Sequence, residues 1–102
     1  MAFDLVNIEG FDWDKGNLEH IKKHNVKEKE CEEVFFNKPI IINEDETHSR
    51  TEDRFRVYGL TDKERLLFII FTIRNNKIRV ISVRNQNKRE RKEFQEVGGE
   101  NI

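Results

Sequence analysis

The sequence predicts an α+β fold: a small antiparallel β-sheet meander with two N-terminal helices and a C-terminal helix. Three observations carry this. Apolar residues recur at helical spacing within 15–24 and 27–36. Three apolar segments, Arg54 to Leu60, Leu66 to Arg74 and Ile78 to Arg84, follow one another across short polar connections. A cation-rich stretch from Asn87 then has the composition of a charged helix.

Phe11-Asp12-Trp13-Asp14 alternates apolar and acidic residues, as a short strand or an extended lead-in does. Asp14 is placed to cap a helix over Lys15 to His24, where Leu18 and Ile21 share one face and Glu19, Lys22 and Lys23 take the wet side. Asn25 tolerates the left-handed conformation that ends helices. A second helix is expected from Lys27 to Phe36, with Glu28 and Glu30 at its positive end and Cys31, Val34 and Phe35 facing inward. Pro39 stops it, and β-branched Ile40-Ile41-Ile42 begins a strand. Asn43 to Asp53 is polar, carries five acids and reads as an exposed loop.

In Arg54 to Leu60, Phe55 and Val57 share one face while Arg54, Arg56 and Tyr58 share the other. Leu66 to Ile73 is apolar at both parities, which predicts a central strand covered on both sides. Thr61 to Glu64 and Asn75-Asn76-Lys77 suit hairpin turns, the asparagines because they accept positive φ. The last helix is expected from Asn87 to Val97, before Gly98-Gly99.

A chain of 102 residues fits one domain, expected to span 1–102. Mean hydropathy of -0.83 and 38% charged residues suggest disorder, but eight Phe, one Trp and the Ile/Val runs supply a core. The longest apolar run is too short to cross a bilayer, the N-terminus has no signal-like segment, and the single cysteine has no disulfide partner; a cytoplasmic protein is expected. Cys31 reads as core rather than nucleophile. The net charge of -1 conceals a division. Residues 1–53 hold 7 Lys/Arg against 14 Asp/Glu, and residues 54–102 hold 12 against 6. One face of such a chain can attract a polyanion; a mixed solvated surface is the alternative.

Several segments together resemble a known family: FDWD, a helix ending IKKHNV, EEVF followed by N-x-P, the HS…EDRF segment, FTIR, and IRVISVR followed by KRERKEF. In order and spacing these are similar to the BrnT toxins of type II toxin–antitoxin systems, over roughly Phe11 to Glu96. The resemblance implies a RelE-like ribonuclease fold with helices on one side of an antiparallel sheet. It also implies cleavage of mRNA, growth inhibition, and neutralisation by a BrnA-like antitoxin whose ribbon-helix-helix domain binds DNA, so that the toxin meets DNA only through its partner. The chain departs from the family's pattern at Asn25 and Lys27, and at Gln86 and Phe94, where alanine and tyrosine are frequent.

Metal-independent RNA cleavage needs a base for the 2′-hydroxyl, a cation for the phosphorane and an acid for the leaving oxygen. Arginine suits the second role because its planar fork grips two phosphate oxygens. Arg54, Arg79 and Arg84 are the candidates. Arg79 and Arg84 differ by five positions, so they share a face only if a bulge intervenes or Arg84 lies beyond the strand end. Glu90 is placed to hold Arg84 across the turn into the last helix.

His24 is the candidate proton carrier, with bonding to helix-end carbonyls as its alternative role. His48, in the acidic loop, is a weaker candidate. Arg56, Tyr58, Lys88 and Arg89 are candidate RNA contacts, alongside Arg91 and Lys92; for the lysines a solvated helix face is the alternative. Trp13 reads as packing rather than base stacking. His20 and His24 lie four apart, but no third ligand is placed by the sequence, so neither metal nor cofactor is expected. A second reading treats the chain as a degenerate family member that only partners a ribbon-helix-helix repressor.

Overall fold

The computed structural model describes residues 7–45 and 52–99. His48 and the middle of the acidic loop lie outside the described residues. The elements run β1 (Gly10–Phe11), α1 (Lys15–Lys23), α2 (Glu28–Val34), β2 (Ile41–Glu44), β3 (Arg54–Leu60), β4 (Leu66–Arg74), β5 (Lys77–Asn85) and α3 (Lys88–Gly99). The strands form one sheet in the order β1-β5-β4-β3-β2. β2 to β5 are antiparallel neighbours, as the meander predicts, and β4 is central, which explains why Leu66 to Ile73 is apolar at both parities. The sheet is nevertheless mixed. β1 pairs in parallel with β5 through Gly10 and Phe11, a contact too short for any sequence pattern to reveal.

The core lies on one face. Phe55, Val57, Leu67, Ile69, Phe71, Ile78, Val80 and Val83 point from the sheet toward Ile21 of α1 and Cys31 and Val34 of α2. Cys31 is fully buried and its thiol is pushed up to about 12, chiefly by that burial, so it is an inert core residue. Gly59 sits directly under α2: a Cβ there would come within 2.6 Å of Val34 Cγ1, so the helix can approach β3 only over a glycine.

Local signals close the ends of these elements. The Asp14 carboxylate accepts from the Asn17 amide at 3.2 Å, and the Asn17 side chain accepts in return from the Asp14 N–H at 2.8 Å. Buried Asn17 also donates to the carbonyls of Asp12 and Val80, which fastens α1 to β5. At the C-terminus of α1, Asn25 adopts φ 56, and Asn75 and Asn76 carry positive φ in the β4–β5 turn. Trp13 donates its indole N–H to Glu32 at 2.9 Å and packs against the core, in its expected packing role.

Two features rearrange the expected picture. α3 lies on the opposite face from α1 and α2, over Ile41, Tyr58 and Arg84, rather than completing a one-sided helical layer. Its end reaches the chain leading into β2, where a Cβ on Gly98 would lie 2.9 Å from Pro39 Cγ. The second feature is a bulge in β5. Ile70 pairs with Ser82 and Phe71 with Val80, which leaves Ile81 unpaired and turns Arg79 and Arg84 to the same face.

Candidate functional site

The face opposite the core carries the arginines. Its rows follow from the strand registers: Arg54, Thr72 and Arg79 form one row; Asn43, Arg56, Ile70 and Ser82 the next; Ile41, Tyr58, Phe68 and Arg84 the third. Arg54 and Arg84 therefore share a face but stand at opposite corners, two strands across and four residues along, with Cα atoms about 16 Å apart. Arg56 lies between them. α3 walls the third row, and residues just before β3 cover the first, where the Thr72 hydroxyl donates to the Asp53 carbonyl at 2.6 Å.

Most of these cations are already engaged. The two Arg84 nitrogens reach both oxygens of Glu90, at 2.7 and 3.0 Å, and the guanidinium lies 4.3 Å above the Phe68 ring. The same Glu90 accepts from the Asn87 N–H while the Asn87 side chain caps Glu90 N, so the ion pair is built into the first turn of α3. This arrangement holds the Glu90 carboxyl below its usual range, mainly through the Arg84 hydrogen bond, and raises Arg84 for the same reason. The expected Glu90–Arg84 bridge is thus present. Arg79 wraps around the sheet edge to Asp14 at 2.9 Å and Asp12 at 3.6 Å, which lowers the Asp14 carboxyl and ties β5 to the cap of α1. Arg54 lies 3.6 Å from Glu52, which also meets Arg74.

Arg56 differs. It is half-buried, its Nε has no hydrogen-bond partner, and among the described residues no carboxylate pairs with it. Beside it the Tyr58 phenol is pushed up, first by burial, then by the negative charges of Glu90 and Glu93, with Arg56 and Arg84 opposing. A neutral phenol at neutral pH is a hydrogen-bond and proton donor. The sheet floor and α3 enclose a slot of about 220 Å³ at this point, lined by Asn43, Arg56, Tyr58, Glu93 and Phe94 among others.

Residues 13–90 match the sequence profile described as the ribonuclease toxin BrnT of type II toxin–antitoxin systems. The chain belongs to the BrnT toxin family. No curated protein matches it. As a BrnT ribonuclease toxin it acts within a toxin–antitoxin pair, and its substrate is RNA.

Seen as a BrnT toxin, the chain brings Arg54, Arg56, Tyr58 and Arg84 onto one face, and puts Arg79 at its edge in the grip of two aspartates. His24 is not brought to this face. It caps α1 on the core side, exposed, with its ring 5.2 Å from His20. Arg65, not His24, bonds the helix-end carbonyls, donating to Asn25 O at 2.8 Å. Lys88 and Arg89 lie on the exposed first turn of α3, and Arg89 pairs with Glu93 at 3.3 Å. Among the described residues no group of three His, Cys, Asp or Glu is arranged to hold a metal ion, and no helix is long and apolar enough to cross a membrane.

Sequence reasoning missed Asn43, Glu93 and Ser82. Parity with Ile41 on β2 is the signal that could have put Asn43 beside Arg56. Gln86 and Phe94, two of the four departures from the family pattern, are both packed: Gln86 donates to Leu67 O at 3.1 Å and Phe94, on the inner side of α3, is buried.

Proposed function

We propose that the chain is a metal-independent endoribonuclease that cuts mRNA in the cytoplasm and is neutralised by a BrnA-like ribbon-helix-helix antitoxin. The observation that carries the reading is Arg56. Its half-buried guanidinium has an Nε without a hydrogen-bond partner and, among the described residues, no carboxylate paired with it, so a ligand that brings negative charge is favoured there. An RNA phosphate on Arg56 is flanked by Arg84 on one side and Arg54 on the other, a fixed set of cations where the phosphorane charge develops. The raised Tyr58 phenol supplies the proton for the leaving 5′-oxygen.

The 2′-hydroxyl proton goes to a carboxylate on the rim of the slot; His24, at the end of α1 on the core side, does not face the bound phosphate. The pH–rate profile tests this: the rate is expected to fall on the acid side as the carboxylate is protonated. Arg79, bound to Asp14 and Asp12, serves to hold the sheet edge and contributes field rather than contact.

The test is cleavage of an RNA oligonucleotide in EDTA by the wild type and by Arg56→Met and Arg84→Ala. Activity in the wild type with losses of about a hundredfold or more in Arg56→Met is expected. Equal cleavage by all three proteins, or strict dependence on an added metal, overturns the reading. A chain that cuts nothing and is harmless when expressed without its antitoxin is a binding partner only.

A further inference from the structure

We infer that the slot between α3 and the β2–β3 floor is a nucleobase site that selects guanine; this rests on the ribonuclease reading for its position beside a phosphate, but the slot can be probed without it. Asn43 is the register partner of Arg56, and Ile41 that of Tyr58, so the slot opens directly beside the Arg56 guanidinium. A nucleotide whose phosphate lies on Arg56 carries its base into this space. At about 220 Å³ the slot is smaller than pockets for drug-sized ligands, roughly 300–1,000 Å³, and suits a single base.

Its lining divides by chemistry. Ile41, Tyr58, Phe94 and Val97 offer apolar and aromatic surface for the faces of a base, and single-stranded RNA is read by this kind of stacking. Asn43 and Glu93, both exposed, supply polar atoms for its edge. Glu90 is consumed by Arg84 and by the Asn87 N–H, which leaves Glu93 as the available carboxylate. Its own pair with Arg89 is exposed at both ends, 87% and 64%, and exposed pairs of this kind cost little to open.

A carboxylate accepts two hydrogen bonds and donates none, whereas an asparagine amide both donates and accepts. Guanine alone among the four bases presents two adjacent donors, N1–H and the N2 amine, next to an acceptor, O6. The carboxylate takes the donors and the amide gives to O6. Adenine turns an N1 lone pair toward Glu93, cytosine an N3 lone pair, and uracil offers one donor between two acceptors. Bidentate pairing of this quality discriminates about tenfold to a hundredfold between bases.

The experiment titrates the full chain with guanosine 3′-monophosphate and adenosine 3′-monophosphate by calorimetry, and maps cut sites on a mixed-sequence RNA. The variants are Glu93→Gln and Asn43→Ala, with circular dichroism as the control for folding; both positions are exposed, so folding is retained. The guanine nucleotide is expected to bind about tenfold to a hundredfold more tightly, with cuts beside guanine, and Glu93→Gln is expected to flatten both preferences. Equal binding of the two nucleotides, or a preference that survives in both variants, overturns the slot assignment. Selective guanine binding with no cleavage of any RNA supports the slot and overturns the ribonuclease reading instead.

Discussion

Arg54, Arg56, Arg79 and Arg84 lie on or beside one face of the sheet, and the carboxylates near them sort their roles. Arg79 and Arg84 are bound by aspartates and a glutamate in good geometry, so replacing either removes structure together with charge. Arg56 has no such partner among the described residues, and Arg56→Met keeps the apolar stem while removing an uncompensated guanidinium. This variant is expected to lose cleavage by about a hundredfold or more while its Tm stays the same or rises, read by a fluorogenic RNA assay beside thermal unfolding. The bound pair behaves oppositely. Glu90→Gln is expected to cost about 1 kcal/mol, no more, because Arg84 remains 42% exposed and solvent screens the pair. Since Glu90 titrates below the usual 4.5 in the folded chain, its contribution is present above the unfolded value and is lost as pH falls through the depressed one. Denaturant unfolding of wild type and Glu90→Gln from pH 7 to pH 3 should therefore converge at the acid end; a constant gap across that range rules out the ionised pair as the cause. Which of these arginines lacks a carboxylate among the described residues was not legible in the sequence, because it depends on carboxylates brought in from Asp12, Asp14, Glu52 and Glu90 by the fold.

Helices and strands were far more legible than the contacts between them. β3 and β4 have the expected bounds because alternation and a doubly apolar run are local properties of the chain, and α1 begins where Asp14 and Asn17 cap each other. The face chosen by α3 was not legible: its apolar residues state that it packs, but which side of the sheet it covers is set by the exit of β5 and by Glu90 reaching Arg84. The bulge at Ile81 was foreseen only as a condition for Arg79 and Arg84 to share a face, since no residue type in IRVISVR demands it. Close packing of α2 on β3 rests on Gly59, and Gly59→Ala places a methyl 2.6 Å from Val34 Cγ1. Overpacking of this kind costs about 1–3 kcal/mol. For a domain of this size each kcal/mol lowers Tm by roughly 4–8 °C. Gly59→Ala combined with Val34→Ala should recover part of that loss by making room, and a double variant less stable than the sum of its parts argues against the clash.

Across the whole chain a net charge of -1 looks ill suited to a polyanion, yet the charge is divided between an acidic first half and a basic second half. The fold converts this division in sequence into a face: β3, β4, β5 and α3 come from the basic half and supply the arginines, while β2 lends Asn43 at the margin. Carboxylates from the acidic half neutralise some of those cations, so the number of phosphates the protein holds is smaller than its arginine count suggests. Counterion release makes that number measurable, because the logarithm of single-strand affinity falls with the logarithm of salt at a slope of about -0.7 per phosphate neutralised. With Arg56 unpaired among the described residues, and Arg84 and Arg54 lending part of their charge, a slope equivalent to about two phosphates is expected, far below that of a uniformly basic RNA-binding protein. Arg56→Met should reduce the slope by about 0.7, and Lys88→Ala on the exposed helix turn should change it much less. Fluorescence anisotropy of a labelled RNA oligonucleotide, titrated at several salt concentrations under conditions where it is not cut, reads both values. An unchanged slope in Arg56→Met would mean that the phosphate rests elsewhere, and that Arg56 at the centre of the face is not the reason RNA binds there.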